Sequence, residues 1–339
     1  MQPVLTRLLE GKQLGFIEAS SFFTALFQEQ IPDAKAKAVL LLLARRGESS
    51  DELRACVEAL RKLEPELKAP CPDLIDTCGT GGDGSHSVNV STLAAFVIAG
   101  AGGHVAKHGN RAISSKSGSS DFLEALGVKI DAPASQMKAS LKKNGIGYFH
   151  APLYHPVFAR VQPLRKSLGV RTIFNLLGPL VNPFRVAYQL TGVSRPEHLE
   201  LYAEVFRRRP ELKRALICRS EEGWDEISVL RPTKYYLVEK GRVKAGVIDP
   251  RKLGVAGGRL QDLKGGSPAR NAFLAKKILN GTQRGPLRNL IVINAAAGLW
   301  TAGLAKNLNH GVLLAGSAID SGRALGALQG LVQVSRTGV

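Results

Sequence analysis

Small, polar and cationic residues are concentrated in one stretch of the chain, residues 76–121. It has glycines at 79, 81, 82 and 84, and it has no acidic residue between Asp83 and Asp121. Glycines let a backbone approach a ligand closely, while N–H groups, hydroxyls and cations are the partners of phosphate oxygens. The hydroxyl and cationic side chains of this stretch include Thr80, Ser87, Ser91, Thr92, Lys107, Arg111, Ser114, Ser115, Lys116, Ser117 and Ser119. The stretch therefore predicts a site for a polyphosphorylated molecule.

The glycines of this stretch also match G-x-G-x-x-G, at Gly79, Gly81 and Gly84. In a dinucleotide-binding fold, a helix opens directly at such a loop, and an acidic residue about 20 positions further on holds the ribose. Here polar residues 85–87 follow the loop, and the next predicted strand ends in Lys107 and His108 instead of an acid. These surroundings disfavour nicotinamide binding.

The tetrapeptide at residues 89–92, Asn-Val-Ser-Thr, stands where an apolar helix begins. Its amide and hydroxyl donors, aided by the helix dipole, are suited to meeting an anion. Simple capping of the helix by Asn89 or Ser91 is the alternative, and both roles are compatible.

Two features beyond residue 160 also carry chemistry. Asp225 and Glu226 are adjacent carboxylates beside a glycine, and Mg²⁺ reaches phosphates through one or two carboxylates with waters completing its octahedron. Surface solvation is the alternative for such a pair. Arg165 and Arg171 each offer a planar fork for a carboxylate, or for a structural ion pair, and their spacing does not separate them.

Composition sets the outer limits. The 339 residues are 44% hydrophobic, without an apolar run long enough to span a bilayer and without a secretory pattern, so we expect a cytoplasmic protein with no membrane partner. The four cysteines have no metal-ligand spacing and are expected to be reduced thiols. The net charge of +18 would attract any polyanion. Its densest cluster, residues 207–214, is interpreted as a solvated helix end, because aromatic residues are not interleaved there.

Hydrophobic patterns predict an α/β protein. Residues 1 to about 66 form a helical region, in which Ser49 and Glu52 are a capping box. From Asp73 onward, short apolar strands alternate with helices, which predicts parallel strands with crossover helices. Residues 233–247 suggest a small antiparallel insertion, and helical stretches are predicted near 268–280, 286–305 and 311–332.

Long motifs occur in an order that resembles the anthranilate phosphoribosyltransferase family. They read DTCGTGGDG from Asp76, NVST from Asn89, KHGNR from Lys107, SGSSD from Ser117, RKSLGVRTIFNLLGPLVNP from Arg165, GWDEI from Gly223 and NAAA from Asn294. The likeness covers nearly the whole chain, and several ordered motifs are far more specific than one glycine pattern.

The resemblance implies a fold shared with class II nucleoside phosphorylases. It consists of a small all-helical domain and a larger α/β domain with a mixed, mostly parallel central sheet. We expect the helical domain at residues 1–70, joined by helices from about 165–190, and the phosphoribosyl-diphosphate-binding domain at residues 71–339. A hinge between the domains and a homodimer are also implied.

The resemblance further implies a transfer of the phosphoribosyl group from 5-phosphoribosyl 1-diphosphate to anthranilate, with Mg²⁺ as cofactor. The residues implied for the donor are Gly79, Gly82, Asp83, Ser87, Asn89, Val90, Ser91, Thr92, Lys107, His108, Gly109, Asn110, Arg111, Ala112, Ile113, Ser114, Ser115 and Ser119. Anthranilate is implied to contact Gly79, Asn110 and Arg165, and the metal Ser91, Asp225 and Glu226. No general acid or base is assigned.

Two alternatives stay open at this point. One is a nucleoside phosphorylase-like enzyme, against which Arg165 and the Asn-Leu-Leu-Gly-Pro-Leu run argue. The other is a divergent homologue that binds nucleic acid, which the charge of +18 motivates. Retention of every phosphate and metal motif disfavours it.

Overall fold

The computed structural model describes residues 2–64, 66–85, 87–112 and 117–338. The helices are, in chain order, α1 Gln2–Leu9, α2 Phe16–Phe27, α3 Asp33–Arg46, α4 Ser50–Leu63, α5 Val90–Gly100, α6 Ser119–Leu126, α7 Ala134–Asn144, α8 Ala151–Tyr154, α9 Val157–Leu168, α10 Glu197–Arg207, α11 Pro268–Leu279, α12 Pro286–Thr301, α13 Leu308–Asp320 and α14 Arg323–Thr337. The strands are β1 Leu74–Gly79, β2 His104–Gly109, β3 Ile146–His150, β4 Tyr188–Gly192, β5 Arg214–Ser220, β6 Thr233–Glu239 and β7 Arg242–Ile248.

The chain divides into two compact units. The helical unit consists of Met1–Leu67 and Ala151–Pro183, and the α/β unit consists of Lys68–His150 and Phe184–Val339. The second segment of the helical unit therefore begins before residue 165 and ends before residue 190. It begins early because α8 and α9, which follow β3 directly, belong to the helical unit.

In the helical unit, a buried carboxylate joins the helix ends. Ser49 caps α4 by accepting the N–H of Glu52, and Glu52 accepts the N–H of Ser49, which confirms the predicted capping box. The same carboxylate also accepts the N–H of Leu14 at 2.8 Å and pairs with Arg46. Glu52 is fully buried, so these partners supply the contacts that a buried charge requires.

The α/β unit is built on a seven-stranded sheet with the order β3-β2-β1-β4-β5-β6-β7. The first five strands of that order are parallel, and β6 and β7 are antiparallel additions at one edge. The expected mixed, mostly parallel sheet is confirmed. The antiparallel element expected at residues 233–247 is confirmed as the pair β6 and β7, and β6 also pairs with β5 along its full length.

Helix α5 crosses from β1 to β2 and lies at the centre of this unit. Nearly all its residues are buried, as expected for a helix that is apolar on every side. It packs against α12 and α14 as well as the sheet. Its first turn is therefore fixed at the carboxyl edge of the parallel strands, where open α/β sheets bind ligands.

The C-terminal region differs from its predicted form. The stretch 311–332 is not one helix, because α13 ends at Asp320 and α14 begins at Arg323. Gly322 between them has φ 76°, a left-handed conformation that interrupts a helix. In the described part of the chain, no helix is both long and apolar enough to span a membrane.

Candidate active site

The described residues that were predicted for the phosphoribosyl donor and the metal lie around the carboxyl ends of β1, β2 and β4. The loop after β1 carries Gly79 to Ser87, α5 begins at Val90, and β2 ends at Gly109. Asp225 and Glu226 follow β5 and reach the same loop, although they lie about 140 positions later in the chain. We call this region the cradle.

One side of the cradle, the carboxylate corner, consists of Asp83, Asp225 and Glu226. The N–H of Gly81 donates to Asp225 Oδ2 at 2.6 Å. The hydroxyl of Ser87 donates to both oxygens of Glu226, at 3.1 and 3.2 Å. The loop and the distant carboxylates are thus joined by direct hydrogen bonds.

Two glycines at strand ends make this close approach feasible. A Cβ on Gly79 would lie 2.2 Å from Asp225 Oδ2, and a Cβ on Gly192 would lie 1.6 Å from the Asp225 carbonyl oxygen. A larger residue at Gly192 would push the Asp225 backbone away from the sheet, and one at Gly79 would displace the Asp225 carboxylate. The position of the carboxylate therefore depends on both strand ends.

The carboxylate corner carries more negative charge than its surroundings balance. Burial, with added repulsion from Asp83, raises the pKa of Asp225, and burial with repulsion from Asp225 and Asp83 raises the pKa of Glu226. Among the described residues, Asp83 Oδ2 is buried without a hydrogen-bond partner. A cation at this corner would relieve the repulsion and supply the missing partner.

Asn294 fixes the segment that follows the two carboxylates. Its Oδ1 accepts the N–H of Ile227 at 3.0 Å, and its Nδ2 donates to the Ile227 carbonyl at 2.8 Å. This two-point pairing of a buried amide with one residue's backbone explains why an asparagine interrupts the apolar helix α12.

Asn89 occupies the N-cap position of α5, yet its side chain makes no cap hydrogen bond. Its Nδ2 donates to the Ser117 carbonyl at 3.1 Å, and its Oδ1 accepts from Ser117 Oγ at 3.2 Å and from Asn271 Nδ2 at 3.0 Å. Simple capping by the Asn89 side chain is therefore wrong. The amide instead links the start of α5 to two other segments.

The end of β2 is held against β1 by buried polar contacts. The ammonium group of Lys107 donates to the Thr77 carbonyl, and the N–H of His108 donates to Asp76 at 3.3 Å. Thr77 in turn donates its hydroxyl to the Ser91 carbonyl at 3.0 Å. Lys107 is only 3% exposed, so its charge is fixed within the cradle.

We call residues 107–119 the cationic segment, and Asp121 connects two of its residues. Asp121 Oδ2 accepts the N–H groups of Ala112 and Gly118 at 2.9 and 3.0 Å. Arg111, which the resemblance implies to bind the phosphoribosyl donor, forms ion pairs with Asp121 and Glu124. The implied ligands Ile113, Ser114 and Ser115 lie outside the described residues.

Ser119 and Asn110 are bonded to each other. The N–H of Asn110 donates to Ser119 Oγ at 3.1 Å, and this hydroxyl lies 3.2 Å from the Asn110 carbonyl. Gly109 is required beside them, because a Cβ there would lie 2.1 Å from Ser119 Oγ. The remaining predicted residues, Gly82, Val90 and Thr92, lie in the loop after β1 and in the first turn of α5.

Arg165 belongs to the helical unit. It lies near the end of α9, where its guanidinium carbon is 5.8 Å from the centre of the Phe174 ring. Burial lowers its pKa. Arg171, in contrast, is exposed.

The basic cluster at residues 207–214 is paired with acids of the same unit. Each of its five cations lies within 4 Å of a carboxylate, in the pairs Arg207–Glu204, Arg208–Glu204, Arg209–Glu211, Lys213–Asp73 and Arg214–Glu239. The interpretation as a solvated helix end holds only for part of the cluster, because α10 ends at Arg207 and Arg214 begins β5. The local pairing still offers little free charge for a nucleic acid.

Sequence reasoning missed two residues that shape the cradle, Gly192 and Asn271. Gly192 ends a strand in an ordinary sequence, so nothing indicates that Asp225 approaches it. Asn271 had a usable signal, because it falls on the face of α11 that also buries Leu274, Ala275 and Ile278. An amide on an apolar helix face requires buried partners.

Similarity to known proteins agrees with this geometry. Residues 2–63 match the helical bundle domain of a glycosyl transferase family, and residues 71–325 match its a/b domain. An anthranilate phosphoribosyltransferase of Desulfosudis oleivorans is 42% identical over 98% of both chains. The crystal structure of the Thermus thermophilus enzyme of that name has a TM-score of 0.90 and 38% identity, covering 98% of this chain and 99% of its own.

A Saccharomyces cerevisiae anthranilate phosphoribosyltransferase, solved in complex with PRPP and Mg, has a TM-score of 0.88 and 26% identity. The match covers 98% of this chain and 97% of the yeast chain. The chain belongs to the anthranilate phosphoribosyltransferase family.

Proposed function

We propose that this chain transfers the phosphoribosyl group of 5-phosphoribosyl 1-diphosphate (PRPP) to the amine of anthranilate, in tryptophan biosynthesis. The products are N-(5-phosphoribosyl)anthranilate and diphosphate. The observation that carries the proposal is the meeting of a carboxylate pair with a glycine loop and a helix start at one sheet edge. This arrangement suits a substrate that presents several phosphates together with a divalent cation.

The donor is proposed to bind along the cradle. Its phosphates would accept hydrogen bonds from N–H groups of the glycine loop and the first turn of α5, with the dipole of α5 favouring their charge. Lys107 supplies a buried positive charge beside them. The full proposed set is Gly79, Gly82, Asp83, Ser87, Asn89 to Thr92, Lys107 to Ser115 and Ser119.

The cofactor is Mg²⁺, and the residues present fit it. No three His, Cys, Asp or Glu side chains form a ready-made metal site among the described residues, but Mg²⁺ commonly uses one or two carboxylates plus waters and substrate phosphates. Asp225 and Glu226, with Ser91 in the first turn of α5, are proposed to hold it. Bound there, the ion would supply positive charge to the departing diphosphate.

The chemistry needs little proton transfer from the protein. The C1–O bond to diphosphate breaks and the C1–N bond to anthranilate forms, after which the amine loses a proton. Because an aromatic amine is already neutral near pH 7, attack requires no strong general base. The chain's own part is to position the two substrates and to stabilise charge on the leaving group with Lys107 and backbone donors.

The proposal is tested by following loss of anthranilate fluorescence with purified protein, PRPP and Mg²⁺. We expect loss that depends on all three components, and diphosphate released in equal amount. No loss in their presence, or release of a free base from a nucleoside and inorganic phosphate at a comparable rate, would overturn it. A salt-dependent nucleic-acid binding control separates the remaining alternative.

Anthranilate is proposed to contact Gly79, Asn110 and Arg165, with Arg165 reading its carboxylate. A guanidinium that is partly withdrawn from water, without an acidic partner among the described residues, suits that task. We predict that Arg165→Ala raises KM for anthranilate at least ~10-fold, because a charge-assisted hydrogen bond is lost. KM for PRPP should change little.

Arg171→Ala is the matched control for this prediction, because Arg171 is exposed and lies close in sequence. Steady-state kinetics with each substrate varied in turn give the comparison. Equal effects of Arg165→Ala on both KM values, or equal effects of the two variants, would contradict the assignment.

A homodimer and a cytoplasmic location are part of the proposal. The helical unit exposes several large apolar side chains, among them Leu9 at 73%, Ile17 at 80% and Leu41 at 43%. A second copy of the chain is the proposed partner for that surface. Sedimentation equilibrium would reveal a monomer if this is wrong. The four cysteines are free thiols, which suits a reducing compartment.

A further inference from the structure

Residues 264–267, which we call the strap, lead into α11 and contact the loop after β1. Lys264 forms an isolated antiparallel bridge with Ser87. At Gly265, a Cβ would lie 2.6 Å from the Ser87 carbonyl oxygen, so only glycine fits between the strap and the loop after β1. The strap therefore contacts the segment that leads directly into the start of α5.

Asn271, in the first turn of α11, connects the strap to the cradle by two hydrogen bonds. Its Oδ1 accepts the N–H of Gly266 at 2.7 Å, and its Nδ2 donates to Asn89 Oδ1 at 3.0 Å. Asn271 is 1% exposed, so neither contact competes with bulk water. One buried amide thus connects the strap to the N-cap residue of α5.

Neither helix requires this amide for its own formation. Helix α11 is capped by Ser267, whose hydroxyl accepts the N–H of Arg270. Burying an amide on an apolar helix face costs free energy unless its hydrogen bonds are made, so an aliphatic residue would pack there with less constraint. Asn271 therefore serves two contacts outside its own helix, one with Gly266 and one with Asn89.

The contact determines how the Asn89 side chain is oriented. With Asn271 donating to Oδ1, the Nδ2 group of Asn89 is directed to the carbonyl of Ser117, in the cationic segment. Asn89 consequently joins α5, the cationic segment and the strap. If Asn271 is lost, Asn89 keeps its two bonds to Ser117, but the start of α5 loses its side-chain link to the strap.

We propose that Asn271 is a positioning residue that acts through Asn89 to set the cradle for the phosphoribosyl donor. This inference rests on the proposed function, since it concerns how the donor is held. Asn271 itself contacts the strap and Asn89. Its removal should therefore weaken donor binding while leaving the acceptor and the chemical step nearly unchanged.

The test is a double-mutant cycle on donor binding. PRPP affinity is measured by calorimetry with Mg²⁺ and without anthranilate, and both KM values and kcat are measured alongside. We expect Asn271→Ala to weaken PRPP binding about 10-fold, the lower end of what loss of a supporting hydrogen bond costs a site. The double variant with Asn89→Ala should bind PRPP no more weakly than Asn89→Ala alone.

Two further variants separate positioning from simple damage to the fold. Asn271→Asp keeps the acceptor for Gly266 but places a carboxylate oxygen against Asn89 Oδ1, so it should weaken PRPP binding at least as much as alanine. Asn280→Ala is the matched control, because Asn280 follows the end of the same helix and its side chain bonds to the exposed Thr282. It should bind PRPP like the parent.

The outcomes distinguish the two levels of inference. If the parent does not bind PRPP, the proposed function fails and this inference falls with it. If the parent binds and Asn271→Ala binds equally well, only the role of Asn271 is refuted. If the fold-changes of the two single variants multiply in the double variant, Asn271 acts independently of Asn89 and the proposal is overturned. Equal rises in both KM values would also overturn it, because the effect would not be specific to the donor.

Discussion

The two sides of the cradle differ in how their charged side chains are stabilised. In the carboxylate corner, three carboxyl groups converge, and burial with mutual repulsion raises the pKa values of Asp225 and Glu226. On the other side, which we call the donor side, Lys107 and Arg111 already have protein partners. One side is short of positive charge, whereas the cations of the other side already have hydrogen-bond partners.

This difference indicates which side depends on something external. The carboxylate corner is held in place by steric fit at Gly79 and Gly192 and by the Asn294 amide, although its charges oppose that placement. A bound cation would offset this repulsion. The donor side is satisfied by its own hydrogen bonds, so changes there should affect stability and donor affinity first.

The largest effect is expected in the carboxylate corner. Changing Asp225 to Asn and Glu226 to Gln together preserves shape but removes the negative charge that Mg²⁺ requires. We predict that kcat/KM at fixed Mg²⁺ falls by about 100-fold, the scale of losing metal-supporting groups. A Mg²⁺ titration of activity is the measurement, and its midpoint should move to higher concentration.

Glu221→Gln is the matched control, because Glu221 is an exposed carboxylate of the same loop. Its Mg²⁺ titration should overlay that of the parent. An unchanged titration for the double amide variant would show that Asp225 and Glu226 do not bind the metal. The proposed difference between the two sides of the cradle would then be wrong.

An intermediate effect is expected from steric fit alone. Gly79→Ala places a methyl group 2.2 Å from Asp225 Oδ2, so the carboxylate has to move although every charge is retained. A displacement of that kind should lower kcat/KM by about 10-fold, since small misplacements of catalytic groups are costly. Steady-state kinetics with a Mg²⁺ titration give the comparison.

Gly326→Ala is its control, because a Cβ at Gly326 meets no other atom within 4 Å. It should retain parental activity. Should Gly79→Ala also behave like the parent, the corner would tolerate movement, and the steric account given for Gly79 and Gly192 would be wrong.

The sequence was sufficient to identify most of the chemistry and the fold class. Glycines, hydroxyls and cations concentrate where phosphate chemistry needs them, and alternating apolar runs indicate a parallel sheet. Motif order then separated Arg165 from Arg171, which spacing alone could not. Local signals such as the Ser49 and Glu52 box were read correctly because both partners lie within one helical turn.

What the sequence could not supply was partnership between distant residues. Asn89 was a plausible helix cap by type, but its side chain instead bonds to Ser117 and Asn271, the second of which lies 182 positions away. The β6–β7 hairpin was identified locally, yet its pairing with β5 depends on long-range register. Such contacts are decided by three-dimensional packing and leave little trace in spacing.

The smallest effect is expected on the donor side, at Asp121. Desolvation opposes its charge, but hydrogen bonds from Ala112, Gly118 and Arg111 outweigh it and lower its pKa. Its stabilising contribution is therefore present above the unfolded-state pKa of about 4 and is lost as pH falls through the lower folded-state value. Asp121→Asn should cost about 1–3 kcal/mol of unfolding free energy at pH 7, because two N–H groups then share poorer acceptors.

Urea unfolding at pH 7 and in stronger acid measures this prediction. The difference between parent and Asp121→Asn should shrink as the pH falls through the Asp121 pKa, whereas Asp131→Asn, at an exposed carboxylate, should match the parent at both values. KM for PRPP should rise only ~2- to 3-fold, because the change weakens the contacts of Ala112 and Gly118 and leaves Lys107 and α5 in place. A 100-fold loss of kcat/KM with unchanged stability would instead place Asp121 among the reacting groups, and the difference between the donor side and the carboxylate corner would no longer hold.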